Sequence, residues 1–140
     1  MGTDLLASAA PTITYAPPEG IFNYIWVIIA LPAIGAFILL AFGNRTNSWG
    51  HYLATVLPIG SFVLAVMMWL AMLARPSEER GIIQHLWDWV IVGDFSANVG
   101  LQLDQLSMTF VLLITGVGSL IHIYSIGYMH DDPKRRLFFA

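Results

Sequence analysis

The sequence contains no cysteine and few charged residues. Among 140 residues there is no Cys, and only 11% are Asp, Glu, Lys or Arg. Without Cys, the chain can form no disulfide, thiolate nucleophile or Cys-ligated zinc or iron–sulfur site. Its six Lys and Arg are outnumbered by nine Asp and Glu, so it has no basic surface for nucleic acid. Nucleic-acid-binding proteins are therefore excluded.

Apolar residues dominate what remains. They make up 57% of the chain, and the mean hydropathy is +0.71. Both values exceed those of ordinary soluble domains. A chain of this length can hold about three or four membrane spans of roughly 20 residues, with no room for a separate soluble enzyme domain. The composition predicts an all-α integral membrane protein in contact with a lipid bilayer.

Three apolar segments are long enough to cross a bilayer. They comprise residues 21–42, 52–74 and 105–129. The shortest would span about 33 Å as a helix, which matches one crossing. Pro32 and Pro58 lie inside the first two segments. A kink is tolerated there if neighbouring groups satisfy the carbonyl that loses its N–H donor.

The two ends of the chain differ in charge. Residues 1–20 lack a basic start, which indicates a polar outer lead-in and not a cleavable signal peptide. Residues 130–140 form a basic end. Four of the six basic residues fall on one side of the predicted membrane: Arg45, Lys134, Arg135 and Arg136. The positive-inside rule then predicts that the N-terminus is outside and the C-terminal end is cytoplasmic.

Residues 82–104 alternate in polarity and predict a short β-hairpin on the outer face. Alternation places one set of side chains on one face of the first strand: Ile83, His85, Trp87, Trp89 and Ile91. Val99, Leu101 and Leu103 would share one face of the second strand, with a turn at Gly93-Asp94. Trp87 and Trp89 suit either an aromatic belt at the membrane interface or a docking surface.

The third span carries a polar stripe. Thr115, Gly118, His122 and Ser125 follow helical spacing, with Ser119 at the edge. Small residues let another helix approach, and Ser, Thr and His can hydrogen-bond across the contact. Ionisable groups within membranes are also candidates for proton paths, although these three spans hold no second ionisable group from which to build a relay. His122 therefore has two readings, helix packing or a proton path completed by other helices.

Asp104 directly precedes the third span. Its carboxylate can cap the exposed amides of the helix and interact favourably with the helix dipole. The other three histidines, His51, His85 and His130, lie in separate parts of the sequence without paired spacing, which predicts no metal site.

Several runs together resemble the start of one protein family. These are LWDWV at 86–90, VGLQLDQLS at 99–107, ITGVGSLIHIYSIGYM at 114–129 and RLFFA at 136–140. Their order and spacing resemble the N-terminal part of the largest, distal antiporter-like membrane subunit (chain 5, or subunit L, type) of respiratory complex I. The first two spans share only their hydropathy with that family.

The resemblance implies more than this chain contains. Such subunits are longer bundles whose proton channels use later, broken helices, so we expect an N-terminal fragment of a larger antiporter-like bundle. The implied function is support of redox-coupled proton pumping in NADH:quinone oxidoreductase, with no catalytic site or cofactor in this chain. NADH, FMN, iron–sulfur clusters and quinone would bind other subunits. The implied partners are other membrane-arm subunits, in a bacterial plasma membrane rather than a mitochondrial inner membrane.

Two other readings stay open at this stage. The large subunit of multisubunit Na⁺/H⁺ antiporters and subunits of membrane-bound hydrogenases share this architecture, and SLIH at 119–122 favours complex I over them. The chain could also be a three-helix membrane scaffold without a transport role.

Overall fold

A computed structural model describes residues 14–93, 95–133 and 135–140, without the side chains of Asn44, Arg135 and Arg136. Most of the predicted lead-in, Asp94 of the predicted turn and Lys134 lie outside these residues. The elements in chain order are β1 (Tyr15–Ala16), α1 (Ile25–Ala41), α2 (Gly50–Leu73), β2 (Gly81–Val92), β3 (Phe95–Leu103), α3 (Gln105–Tyr128) and α4 (Arg135–Phe139). Short 3₁₀ turns occupy Gly20–Tyr24, Gly43–Thr46 and Ser77–Glu79.

Within the described residues, three helices are long and apolar enough to cross a membrane. They run over Gly20–Ala41, which includes the 3₁₀ turn before α1, and over Gly50–Leu73 and Gln105–Tyr128. Their ends lie within two residues of the spans that the sequence predicts. Helix α2 is central, because it packs against both α1 and α3.

The contact between α1 and α2 depends on small side chains and on one hydrogen bond. A Cβ added at Gly35 would lie 2.7 Å from Cδ1 of Leu57, so the glycine lets the helices approach closely. Ser61 Oγ donates a hydrogen bond of 3.0 Å to the carbonyl of Ile28. Pro32 has no N–H for that carbonyl, which lies four residues before it. The expectation that a neighbouring group satisfies the freed carbonyl is confirmed for Pro32.

The contact between α2 and α3 has a different glycine from the one the sequence indicates. A Cβ at Gly116 would lie 3.0 Å from the ring of Phe62 on α2. A Cβ at Gly118, the glycine of the predicted stripe, would meet no atom within 4 Å. Gly116 is therefore the residue that permits the close approach.

The residues between α2 and α3 form a three-stranded sheet in the order β1-β2-β3. β2 and β3 are antiparallel, and β1 adds a parallel strand through Tyr15 and Ala16, which the sequence did not indicate. Two register shifts interrupt the pairing, between His85 and Trp87 and between Asp88 and Val90.

These shifts overturn the predicted faces of the first strand. Trp87 pairs with Val99, while Gln84 and Ile82 pair with Leu101 and Leu103. Because directly paired residues share a face, Trp87 lies on the face of Ile82 and not on that of Ile83. Ile82 is fully buried, whereas Ile83 is 43% exposed. The prediction that five alternate residues share one face was wrong because it assumed an unbroken period of two.

Buried apolar side chains form two separate cores. The sheet-end core lies where the sheet meets the helices and contains Phe22, Ile25, Ile28, Ala65, Met68, Met72, Ile82, Leu103 and Met108. The α4-end core contains Leu39, Ala54 and Phe139, with Ile126 and Met129 packed against it. Helix α3 runs from the sheet end to the α4 end.

Candidate functional site

His122 lies on α3, six residues before its last residue Tyr128, which is about 9 Å along the helix. Its Nδ1 is 2.8 Å from the carbonyl oxygen of Gly118, one turn earlier. A carbonyl can only accept, so Nδ1 carries the hydrogen of the neutral ring. Nε2 is then the nitrogen that can accept a hydrogen bond from water or another donor.

The other polar residues of the predicted stripe bond along their own helix. Thr115 Oγ1 donates to the carbonyl of Val111 at 2.6 Å, and Ser119 Oγ donates to that of Thr115 at 2.6 Å. Ser119 and Ser125 are buried, whereas Thr115 and His122 are half-buried. The hydroxyls of Thr115 and Ser119 thus donate to carbonyls of α3 itself and not to a neighbouring helix.

A cavity of about 360 Å³ opens beside His122. Its wall brings together α1, α2, α3 and α4 through Pro32, Gly35, Ala54, Pro58, His122 and Phe139. Both helix-interior prolines line this one cavity. Pro58 has no N–H for the carbonyl of Ala54, so that carbonyl lacks its usual helical donor beside the cavity.

Phe139 lies near two histidines. Its ring centroid is 5.9 Å from that of His122 and 6.4 Å from that of His51. His51 is in the first turn of α2 and, like Phe139, is 5% exposed. The sequence analysis did not connect His51 with His122, which lie 71 positions apart; both rings lie near that of Phe139 at the α4 end of the bundle. The apolar run around His51 gave no signal of this.

Asp104 is the N-cap of α3. Its Oδ1 accepts a hydrogen bond from the backbone N–H of Ser107 at 2.8 Å, and the N–H of Asp104 donates to Ser107 Oγ at 2.7 Å. This reciprocal capping box satisfies two amides at the helix start. The bond from the Ser107 backbone N–H lowers the pKa of the Asp104 carboxyl below its ordinary value, against the opposing effect of burial.

The sheet end carries further polar contacts. Arg80 donates from Nε to the carbonyl of Arg75 at 3.0 Å and from Nη2 to that of Leu73 at 3.4 Å, at the C-terminal end of α2. A cation there complements the helix dipole. Gln84 Nε2 donates to the carbonyl of Asn23 at 2.8 Å and so joins the sheet to the start of α1.

Trp87 and Trp89 project from the sheet. Trp87 is 51% exposed and Trp89 70% exposed. Other exposed apolar residues of the sheet lie near its turn: Val90, Ile91, Val92 and Phe95. Within the described ranges, no three His, Asp or Glu side chains gather as a metal site would require.

Comparison with known proteins shows a similarity to one family. Residues 89–139, which run from β2 to α4, match the family described as NADH-ubiquinone oxidoreductase (complex I), chain 5 N-terminus. The resemblance to chain 5 is confirmed. Subunit L of NADH-quinone oxidoreductase from Mycobacterium tuberculosis is 51% identical over 118 residues, and the Escherichia coli K12 subunit L is 37% identical over 120 residues. Each match covers 84% of this chain and 19% of the relative.

The similarity to subunit L extends further along the chain than the sequence motifs indicate. A match of 118 residues in a chain of 140 includes α1 and α2 as well as α3. A plant relative, the chloroplastic NAD(P)H-quinone oxidoreductase subunit 5 of Brachypodium distachyon, is 35% identical over 129 residues, which is 86% of this chain and 17% of the relative. The chain therefore spans about a fifth of the length of the curated relatives that it matches.

Proposed function

We propose that this chain is the N-terminal portion of the distal membrane-arm subunit of a proton-translocating NADH:quinone oxidoreductase and that it supports redox-coupled proton pumping. The observation that carries the proposal is the 51% identity to subunit L from Mycobacterium tuberculosis over most of this chain. Three apolar helices of membrane-spanning length fit such an arm. NADH, FMN, iron–sulfur clusters and quinone would then bind to other subunits of the enzyme.

The test is to solubilise the native membrane in mild detergent, purify the complex that contains this sequence and identify its chains by mass spectrometry. NADH-oxidising and quinone-reducing subunits in the same complex are the expected result. Antiporter or hydrogenase subunits in their place would reassign the chain. A 15.5 kDa species that migrates alone would contradict the proposal and leave a three-helix scaffold.

We propose an orientation in a bacterial plasma membrane with the sheet end outside and the α4 end in the cytoplasm. The distribution of basic residues supports it, since Arg45 and the 134–136 cluster lie toward one side. A Ser77→Cys variant should react with a membrane-impermeant thiol reagent added outside intact cells, because Ser77 is exposed in the turn before β2. Reaction only in inverted vesicles would reverse the orientation.

We propose that Trp87 and Trp89 couple this chain to a neighbouring membrane-arm subunit. Large exposed aromatic side chains often dominate binding energy at interfaces. Replacing both with Ala should weaken association of the membrane arm by about tenfold or more, read as loss of the intact complex on native gels. Trp26→Ala on α1, where the indole is comparably exposed, is the matched control. An unchanged gel pattern for the double variant would refute the coupling role.

We propose that His122, on the stripe with Thr115, Ser119 and Ser125, either supports helix packing or borders a proton path. The variant His122→Leu separates the two roles. Reduced assembly would indicate packing, whereas lower proton pumping by a normally assembled complex would indicate the path. Unchanged assembly and pumping would contradict both.

A further inference from the structure

We propose that the cavity beside His122 is a water-filled proton-access site and that Phe139 separates it from a second proton-carrying group, His51. The proton-carrying role depends on the proposed function. The presence of water in the cavity does not depend on that function, so the experiments can contradict one claim and leave the other intact.

The cavity has the room and the polar groups that water requires. Its volume is about 360 Å³, and its lining includes the small residues Ala33, Ala36 and Ala54. Ordered water needs two to four polar partners. His122 and Ala54 both line the cavity, and the imidazole of His122 and the Ala54 carbonyl that Pro58 deprives of its helical donor are the polar groups these residues supply.

The two prolines show why water is expected at one helix and not at the other. An unsatisfied backbone group in hydrocarbon costs several kcal/mol, so a freed carbonyl needs a protein donor or water. Ser61 supplies the donor for the carbonyl that Pro32 frees. The carbonyl that Pro58 frees belongs to Ala54, which lines the cavity.

The fixed tautomer of His122 defines how a proton would pass. Nδ1 is held by the carbonyl of Gly118, so Nε2 is the nitrogen that exchanges. A hydronium ion in the cavity gives its proton to Nε2, which leaves water and an imidazolium with hydrogen on both nitrogens. Loss of the Nε2 proton to the next water restores the neutral ring. No bond to Gly118 has to break in this cycle.

Phe139 is placed to control access to the cavity. It is almost fully buried, it lines the cavity, and its ring centroid lies 6.4 Å from that of His51 and 5.9 Å from that of His122. An apolar ring at this position interrupts a water chain unless it moves. His51, at the start of α2, is then the group on the far side of Phe139, toward the proposed cytoplasmic surface.

Because these 140 residues contain no Cys, a Cys introduced among them can be labelled and read on its own peptide. In the chain as expressed from its gene and assembled in its native complex, Ala54→Cys should react with a charged methanethiosulfonate reagent, read on the isolated peptide by mass spectrometry. The matched control is Ala65→Cys on the same helix, which is fully buried in the sheet-end core and should not react. If neither Cys reacts in an assembled complex, the proposal that the cavity contains water is wrong.

The role of Phe139 predicts a change in rate. Phe139→Ala should accelerate the labelling of Ala54→Cys by about tenfold, which corresponds to a barrier lower by about 1.4 kcal/mol. If the Phe139→Ala variant does not assemble, Phe139→Leu is used in its place, because it keeps an apolar side chain without the ring. An unchanged labelling rate in an assembled variant would overturn the separating role.

The proton-carrying role is tested in labelled, assembled complexes with His51→Gln and His122→Gln. Each should reduce proton pumping at least severalfold while NADH oxidation and Ala54→Cys labelling remain. Normal pumping in both variants would overturn the proton path even if the cavity contains water. A complex without NADH-oxidising subunits would instead refute the proposed function, and the labelling result would stand.

Discussion

The sheet end and the α4 end of the helix bundle are closed in different ways. At the sheet end, nine buried apolar residues pack together, and Asp104, Gln84 and Arg80 each bond to a backbone group of a neighbouring segment. At the α4 end, the buried core among the described side chains consists of Leu39, Ala54 and Phe139, and a cavity lies beside it. The two ends of the bundle therefore differ in how completely side chains fill the space between the helices.

This contrast has a physical cause in the backbone. Proline removes a hydrogen-bond donor from a helix, and the freed carbonyl must be satisfied. Ile28, whose carbonyl Pro32 frees, belongs to the sheet-end core and accepts from Ser61. Ala54, whose carbonyl Pro58 frees, belongs to the α4-end core and lines the cavity. A proline thus frees a carbonyl in each half. The freed carbonyl of Ile28 accepts a hydrogen bond from a side chain, whereas the residue with the other freed carbonyl, Ala54, lines a cavity.

Truncating the sheet-end core should have the largest effect. Ile82→Ala removes a fully buried side chain and should lower the free energy of unfolding by about 2–5 kcal/mol. Ile83→Ala is the control, because Ile83 is exposed on the other face and should cost far less. Thermal unfolding of the chain in mild detergent measures both. A larger loss for Ile83 would contradict the observed register and restore the alternation that the sequence indicates.

Removing the cap of α3 should have an intermediate effect. Asp104→Ala deletes the carboxylate that accepts from Ser107 and should destabilise the protein by about 1 kcal/mol at neutral pH. The pKa of Asp104 is lower in the folded protein than its ordinary value of 3.8. The stabilisation is therefore complete above that value and is lost as the pH falls through the lower folded pKa.

Thermal unfolding across acidic pH checks this dependence. The stability difference between Asp104 and Asp104→Ala should narrow as the pH drops below about 4. Asp104→Asn can still cap the helix but cannot titrate, so its own contribution should not change with pH. A difference that stays constant down to the lowest measurable pH would contradict the role of the charged cap.

The smallest effect should come from the hydrogen bond between the first two helices. Ser61→Ala removes the donor to Ile28 and should cost about 0.6 kcal/mol, the average for such bonds in membranes. Pro32→Ala restores a helical N–H for the same carbonyl. In a double-mutant cycle, Ser61→Ala should therefore cost less in the Pro32→Ala background. Equal costs in both backgrounds would show that Ser61 does not serve the carbonyl that Pro32 frees.

Much of the fold followed from hydropathy and local chemistry. Uninterrupted apolar runs of 22 or more residues have one stable conformation in hydrocarbon, so the three helices were predictable to within two residues. Asp104 was predictable as a cap because capping depends on neighbours three residues away. The faces of β2 were not, since a register shift depends on pairing with β3 and leaves no clear mark in either strand.

The sequence by itself determined the class of protein, the number of apolar helices and the family motifs, because these depend on composition and on residues close in the chain. Only the tertiary structure decided that Gly116 and not Gly118 permits the approach of α2, and that Ser61 serves the carbonyl of Ile28. It also decided that the ring of Phe139 lies near the rings of both His51 and His122. These contacts join residues on different helices. Their geometry is set by how the helices pack, which no local pattern in the sequence encodes.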